Sequence, residues 1–159
     1  MNTIAGRRDL ARVSKTPGRT QRIHFFAEPR AGLAIVDLPG YGYARAGKAE
    51  RAQFAAAVER YLQGRESLRG LVLVLDVRRA PEVEERLLAE FAAARSVGLA
   101  RVATKVDKLG RAERARRLCE LDRAGLGPWL PFSATSGEGK EAVVQAILQL
   151  SQMENVADR

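Results

Sequence analysis

The run Leu71-Val72-Leu73-Val74-Leu75, closed by Asp76, is the stretch that most restricts what this chain can fold into. Five consecutive apolar residues leave no polar side for water, so the run suits a parallel strand covered on both faces. Parallel neighbours cannot be joined by a tight turn and need a crossover of a dozen or more residues, usually a helix. The flanking sequence supplies them. Residues 48–65 place Phe54, Val58, Tyr61 and Leu62 at helical spacing, and residues 82–97 do the same with Val83, Leu87, Phe91 and Ala94. Residues 99–104 read as the next strand, 111–124 as a charged helix and 129–132 as a short strand. A last helix, 138–153, carries Val143, Val144, Ile147 and Leu148. Upstream, residues 21–28 and 33–37 flank the turn Pro29-Arg30-Ala31-Gly32 and pair as a hairpin. Met1 to Ile4 is the tail of a helix closed by Gly6, and residues 11–20, with Pro17-Gly18, form an exposed loop. Strands alternating with helices imply an α/β fold, a doubly wound parallel sheet with right-handed crossovers. No repeat or linker interrupts it, so residues 1–159 are expected to form one domain.

Charge narrows the class of partner. Lys and Arg number 27 against 19 Asp and Glu, a net charge of +8. The excess gathers at Arg7, Arg8, Arg12, Lys15, Arg19, Arg22 and Arg30, and again between Arg101 and Arg123. Such a surface favours a polyanion through phosphate neutralisation and counterion release, so an RNA-rich partner is expected. No run approaches a membrane span and no secretory signal opens the chain, which points to the cytoplasm and to no membrane partner. The single cysteine, Cys119, excludes an internal disulfide; between Leu118 and Leu121 it reads as a small packing residue. His24 lies alone on a strand, at a surface position without catalytic company. Trp129, after Pro128, is expected against the last helix, and Glu82, Glu84 and Glu85 complement a helix N-terminus rather than hold a metal.

Three strand ends carry polar residues that make chemical sense together. In Ala34-Ile35-Val36-Asp37-Leu38-Pro39-Gly40-Tyr41-Gly42-Tyr43-Ala44 an aspartate ends a strand and a glycine turns sharply three residues on. Strand carboxyl ends are where open α/β sheets bind ligands, and a bare glycine N–H can approach a phosphate closely. The second end is Thr104-Lys105-Val106-Asp107, 70 residues after Asp37. A carboxylate there can accept from guanine N1–H and its exocyclic amine; adenine offers no such donor pair and would leave a charge unpaired. The Lys105 stem can lie along the base. The third end, Phe132-Ser133-Ala134, is small enough to bring backbone N–H groups to the guanine carbonyl.

With Thr16-Pro17-Gly18-Arg19-Thr20-Gln21, Asp37 to Ala44 and Thr104 to Asp107 in this order, the chain resembles the EngB family (also called YihA or YsxC). These are bacterial GTPases of the TrmE–Era–EngA–EngB–septin group, and the resemblance runs from Met1 to about Leu150. It implies a Ras-like G domain, three-layered with a mostly parallel sheet, that binds GTP or GDP with Mg²⁺. It implies that Thr20, in a loop with Gly18, Arg19, Gln21 and Arg22, joins the Mg²⁺ shell and that Asp37 holds the ion through water. Gly40, after Leu38 and Pro39, would meet the γ-phosphate. Thr104, Lys105, Val106 and Asp107 would read guanine, with Phe132, Ser133 and Ala134 closing over it. Tyr41 stands where Ras-like enzymes keep a water-orienting glutamine, which implies slow intrinsic hydrolysis. The family function is assembly of the large ribosomal subunit, with a link to septum formation and cell division, so ribosomal RNA becomes the expected partner of a monomeric protein.

One element of the family pattern is not in the sequence: nothing matches Gly-x-x-x-x-Gly-Lys-Ser/Thr. That loop holds the α- and β-phosphates, and the strand before it is the central one of the sheet. About the first 40 residues of a complete member are therefore expected to be missing, judged by the length of a strand–loop–helix unit. An alternative follows, a non-hydrolysing remnant that binds RNA or the ribosome through its basic surface.

Overall fold

The computed structural model describes residues 1–7, 10, 23–29, 32–38, 56 and 58–153. Two compact units make up the chain: Met1–Arg8 with Ser67–Arg159, and Asp9–Glu66. Each has its own sheet.

In chain order the first unit begins with α1 (Asn2–Ala5), which Gly6 closes at φ 65°, its N–H donating back to Asn2 and Thr3. The second unit carries β1 (His24–Glu28) and β2 (Leu33–Asp37), paired antiparallel from His24↔Asp37 to Glu28↔Leu33. Gly32, at φ 61°, accepts the left-handed turn that an L side chain resists, and its N–H donates to Pro29 O at 3.3 Å. Residues 58–63 are helical, and Val58 and Leu62 are buried. Phe25 meets Tyr61 edge-on, with ring centroids 6.1 Å apart, and the Arg65 guanidinium lies 5.7 Å from both rings. His24 is an exposed strand position, as expected. The rest of the helix expected over 48–65 lies outside the described residues.

The larger unit continues with β3 (Gly70–Asp76), α2 (Val83–Ala94), β4 (Gly98–Thr104), α3 (Arg111–Leu121), β5 (Leu130–Pro131) and α4 (Lys140–Gln152). Its strands lie in the order β3-β4-β5, all parallel, with Gly70↔Gly98 through Asp76↔Thr104 and Val102↔Leu130 in register. Odd-numbered residues of β3 and β4 face one layer. Leu73, Leu75, Val77 and Ala103 pack there with Val106, Leu121, Leu126 and Trp129, and with Leu88, Ala89 and Leu118 from α2 and α3. Even-numbered residues face the other layer, where Val102 meets Phe132, Val143, Ile147 and Ile4, under α4 and α1. Fully burying an aliphatic side chain contributes about 1.5–3 kcal/mol, so these two clusters hold the unit together. Gly70 and Gly98 let α4 approach: a Cβ on either would lie 2.7 Å or less from Leu150.

The structure corrects four expectations. β3 is covered fully on one face and only in part on the other: Leu71, Leu73 and Leu75 are buried, but Val74 is 60% exposed and Val72 lies at the surface. α4 covers the glycine end of that face, and among the described residues no strand pairs with the free edge of β3. The phase of α2 is also different. Val83 and Leu87 are exposed, while Leu88, Ala89 and Ala92 face the core. Two adjacent apolar stripes leave the rotation of a helix to packing, and small alanines favour a close approach to β3 and β4. Trp129 packs with α3 and the sheet, not with the last helix. Cys119, finally, is exposed, because α3 turns Leu118 and Leu121 inward and the two residues between them outward. At the start of α2, Glu82 and Glu85 form a reciprocal capping box, with Glu82 N–H donating to Glu85 Oε2 at 2.7 Å.

Candidate nucleotide-base site

The carboxyl ends of β3, β4 and β5 meet on one rim of the larger unit, and the rim is held by backbone hydrogen bonds. After Thr104 the chain turns through Lys105, at φ 60° and ψ 32°, into a 3₁₀ turn, Val106–Lys108. A left-handed residue other than glycine costs roughly 1–2 kcal/mol and persists only where its neighbours are pinned. Here they are: Val77 N–H donates to Thr104 O (3.0 Å), Lys108 N–H to Lys105 O (3.0 Å) and Phe132 N–H to Ala103 O (2.9 Å). The Thr104 hydroxyl donates to Leu75 O at 3.0 Å, so it ties β4 to β3. Val106 is fully buried and fixes the turn from below.

Ser133 is the buried polar centre of this rim, with 0% exposure. Its hydroxyl donates to Asp107 Oδ1 at 2.7 Å and accepts the N–H groups of Thr135 (3.2 Å) and Ser136 (3.1 Å). Its own N–H donates to Glu138 O at 3.0 Å, and its carbonyl accepts Gly137 N–H at 3.0 Å. The Ala134 carbonyl accepts the Thr3 hydroxyl at 3.0 Å, which anchors the loop on α1. The sequence suggested Ser133 only as a small residue admitting backbone donors. Its hydroxyl has a further task, which is to orient Asp107.

The other oxygen of Asp107 faces the Lys108 ammonium at 3.2 Å. The Ser133 hydroxyl, against some desolvation and helped by Lys108, holds the Asp107 carboxyl below its ordinary value of 3.8. An ionised carboxylate has about four acceptor positions, so two protein donors leave room for two more from a ligand. Because the folded-state value is lowered, the stability this group adds is present above the ordinary carboxylate range. It is lost as pH falls from about 3.8 through the lowered value. Ser133→Ala removes the largest cause of the shift, so Asp107 is expected to titrate at higher pH in a carboxyl-detected NMR titration. The same variant leaves two loop N–H groups without their acceptor, at a cost of about 1–3 kcal/mol in chemical denaturation. An Asp107 titration that does not move would rule out the hydroxyl as its orienting donor.

The end of β3 and the turn after it bring two residues here to which the sequence assigned no role in the site, Asp76 and Arg78. Asp76 Oδ1 accepts Arg78 N–H (3.1 Å) and Nε (2.9 Å), and Oδ2 accepts Arg78 Nη2 (2.7 Å). Lys105 Nζ lies 3.1 Å from Oδ2. These contacts, with Arg78 foremost, hold the Asp76 carboxyl well below the usual carboxylate range. The signal in the sequence was an aspartate closing an apolar strand, two residues before an arginine.

Of the residues expected to bind nucleotide, Thr104, Lys105, Val106, Asp107, Phe132, Ser133 and Ala134 thus lie on one rim. Phe132 is buried beneath it with Val102 and Val143. Asp37 and Leu38 lie at the end of β2 in the other unit, where Asp37 is half-buried opposite His24. Gly18, Arg19, Thr20, Gln21, Arg22, Pro39, Gly40 and Tyr41 lie outside the described residues. Of the two residues expected around Mg²⁺, Asp37 is among the described ones; a half-buried carboxylate at a strand end is the hard oxygen donor that such an ion takes.

Comparison with known proteins bears on the whole chain. A family model described as 50S ribosome-binding GTPase matches residues 1–105. The protein named "Probable GTP-binding protein EngB" of Anaeromyxobacter dehalogenans (strain 2CP-C) is 42% identical, over 97% of this chain and 76% of its own length. Its namesake in Geobacter sulfurreducens is 42% identical over 93% of this chain and 74% of its own. That of Exiguobacterium sibiricum is 36% identical over 92% and 78%. A crystal structure titled as a probable GTP-binding protein engB superposes with a TM-score of 0.64 at 19% identity, covering 83% of this chain and 84% of that one. It shares the α/β fold.

Proposed function

Since the chain belongs to the EngB family of GTP-binding proteins, we propose that its strand-end rim is the guanine-reading half of a nucleotide switch. The observation that carries this reading is Asp107, an ionised carboxylate aimed by a buried hydroxyl and left with spare acceptor positions. Guanine presents N1–H and an amine to such a group, and adenine does not. Lys105 supplies an apolar stem beside it and Ala134 a backbone donor for the guanine carbonyl. Within this reading Asp37 and Thr20 hold Mg²⁺, which when bound neutralises phosphate charge, and Gly40 senses the γ-phosphate. Gly18, Arg19, Gln21 and Arg22 line the nucleotide loop beside Thr20.

The partner in this reading is ribosomal RNA within the large subunit, and the role is its assembly in the cytoplasm by a monomeric protein, with the link to division that this brings. The net charge of +8 and the exposed Arg111 and Arg116 on α3, with Arg123 just after it, support an anionic partner. Among the described residues no helix is long and apolar enough to cross a membrane.

Titration calorimetry with GDP and ADP tests the reading. GDP is expected to bind at least about a hundredfold more tightly, because a site built to hydrogen-bond one base rejects another that leaves its groups unpaired. Equal affinity for the two, or none for GDP, would remove it.

A further inference from the structure

Asp76 is a better-equipped carboxylate than the end of a strand requires. It is 14% exposed and lies beside Thr104 in the register, on the rim that carries Asp107. Arg78 is the foremost compensation for its burial, through its backbone N–H, Nε and Nη2. Lys105 is an additional partner, 58% exposed, and capturing so exposed a cation adds little to stability. What the contact does is geometric. The backbone end of Lys105 is fixed by its left-handed conformation at φ 60°, and its ammonium is fixed 3.1 Å from Asp76 Oδ2. The methylene stem is therefore tied at both ends, and its backbone lies two residues before Asp107 on the same turn. A free lysine stem samples many rotamers and must be ordered when a base settles on it; this one is ordered beforehand.

We infer that Asp76 is a positioning residue for nucleotide binding, holding Lys105 as a straight apolar rail for the base while Arg78 locks Asp76 in place. The inference rests on the guanine reading of the site. Asp76 touches no base itself; it acts through Lys105.

A double-substitution cycle in the full chain, with GDP as the probe, tests it. Asp76→Asn preserves size and removes the charge that fixes the ammonium. GDP affinity is expected to fall about fivefold, the upper range for one exposed ion pair, although the change makes the protein more positive. In a Lys105→Met background, where a stem remains without its ammonium, Asp76→Asn is expected to change GDP affinity no further. Losses that add in full mean that Asp76 acts on the fold at large, and tighter GDP binding by Asp76→Asn means that the contact sequesters Lys105; either overturns the inference. A second readout needs no nucleotide. The Lys105 ε-methylene NMR signal is expected to shift in Asp76→Asn, and a signal that stays in place overturns the inference equally. If the unsubstituted chain takes GDP and ADP alike, the guanine reading fails and carries this inference with it. Retained GDP selectivity with additive losses removes the inference alone.

Discussion

Replacing Asp107 by alanine is expected to weaken GDP binding by about two to four orders of magnitude. Two hydrogen bonds from the base to a charged acceptor are lost together, and each is worth about 1.5–3 kcal/mol. Stability should fall by no more than about 1–3 kcal/mol, the cost of leaving the buried Ser133 hydroxyl without its acceptor. Asp107→Asn gives a sharper test. Asparagine presents one acceptor and one donor where aspartate presents two acceptors. Guanine is then mismatched at its amine, whereas xanthine, with a carbonyl in that place, becomes the matched base. Xanthosine diphosphate is expected to overtake GDP in calorimetry on this variant. If GDP remains the tighter ligand of both variants, Asp107 does not read the base.

The second large effect concerns the backbone that carries Ser133. Gly139 precedes α4 at φ 76°, and a Cβ built there would lie 1.9 Å from Pro131 O and 3.0 Å from Pro131 C. Both are backbone atoms of β5, so no side chain can swing aside. Gly139→Ala must move either β5 or the start of α4, besides adopting a left-handed conformation that costs an alanine roughly 1–2 kcal/mol. Destabilisation of about 3 kcal/mol or more is expected, read as a fall in Tm of roughly 6–12 °C for a chain of this size. Gly137 makes the comparison clean. It is also left-handed, at φ 81°, but a Cβ there meets nothing within 4 Å, so Gly137→Ala should cost only the conformational part. If the two variants melt together, the close packing of Gly139 on Pro131 is not what seats the loop. A shifted β5 would also displace the Ser133 hydroxyl, so Gly139→Ala should weaken GDP binding where Gly137→Ala does not.

Much of the architecture could be read from residue patterns because it rests on local chemistry. The β3 run, the hairpin about Gly32 and the helix end at Gly6 each follow from apolar period or from a glycine where a left-handed residue is required. Helix boundaries fell within a few residues: α2 spans Val83–Ala94 and α4 spans Lys140–Gln152, each shorter than its apolar pattern. Rotation and coverage were not legible. Val83 and Leu87 were the expected inner face of α2, yet Leu88, Ala89 and Ala92 hold it to the sheet. An apolar strand looks the same in sequence whether one face or both are fully covered, and Val74 shows which applies.

The site divides in the same way. Residue order by itself determined the family and set polar residues at or just past the strand ends, Asp37, Asp107 and Ser133, because those depend on residue type and spacing along the chain. Only the tertiary structure decided that the Ser133 hydroxyl aims Asp107 across 26 residues of sequence, and that Asp76 grips Lys105 from another strand. Those contacts arise from parallel register, which sets Asp76 beside Thr104 and β5 beside β4. No local pattern encodes which residues of separate strands finish level with one another.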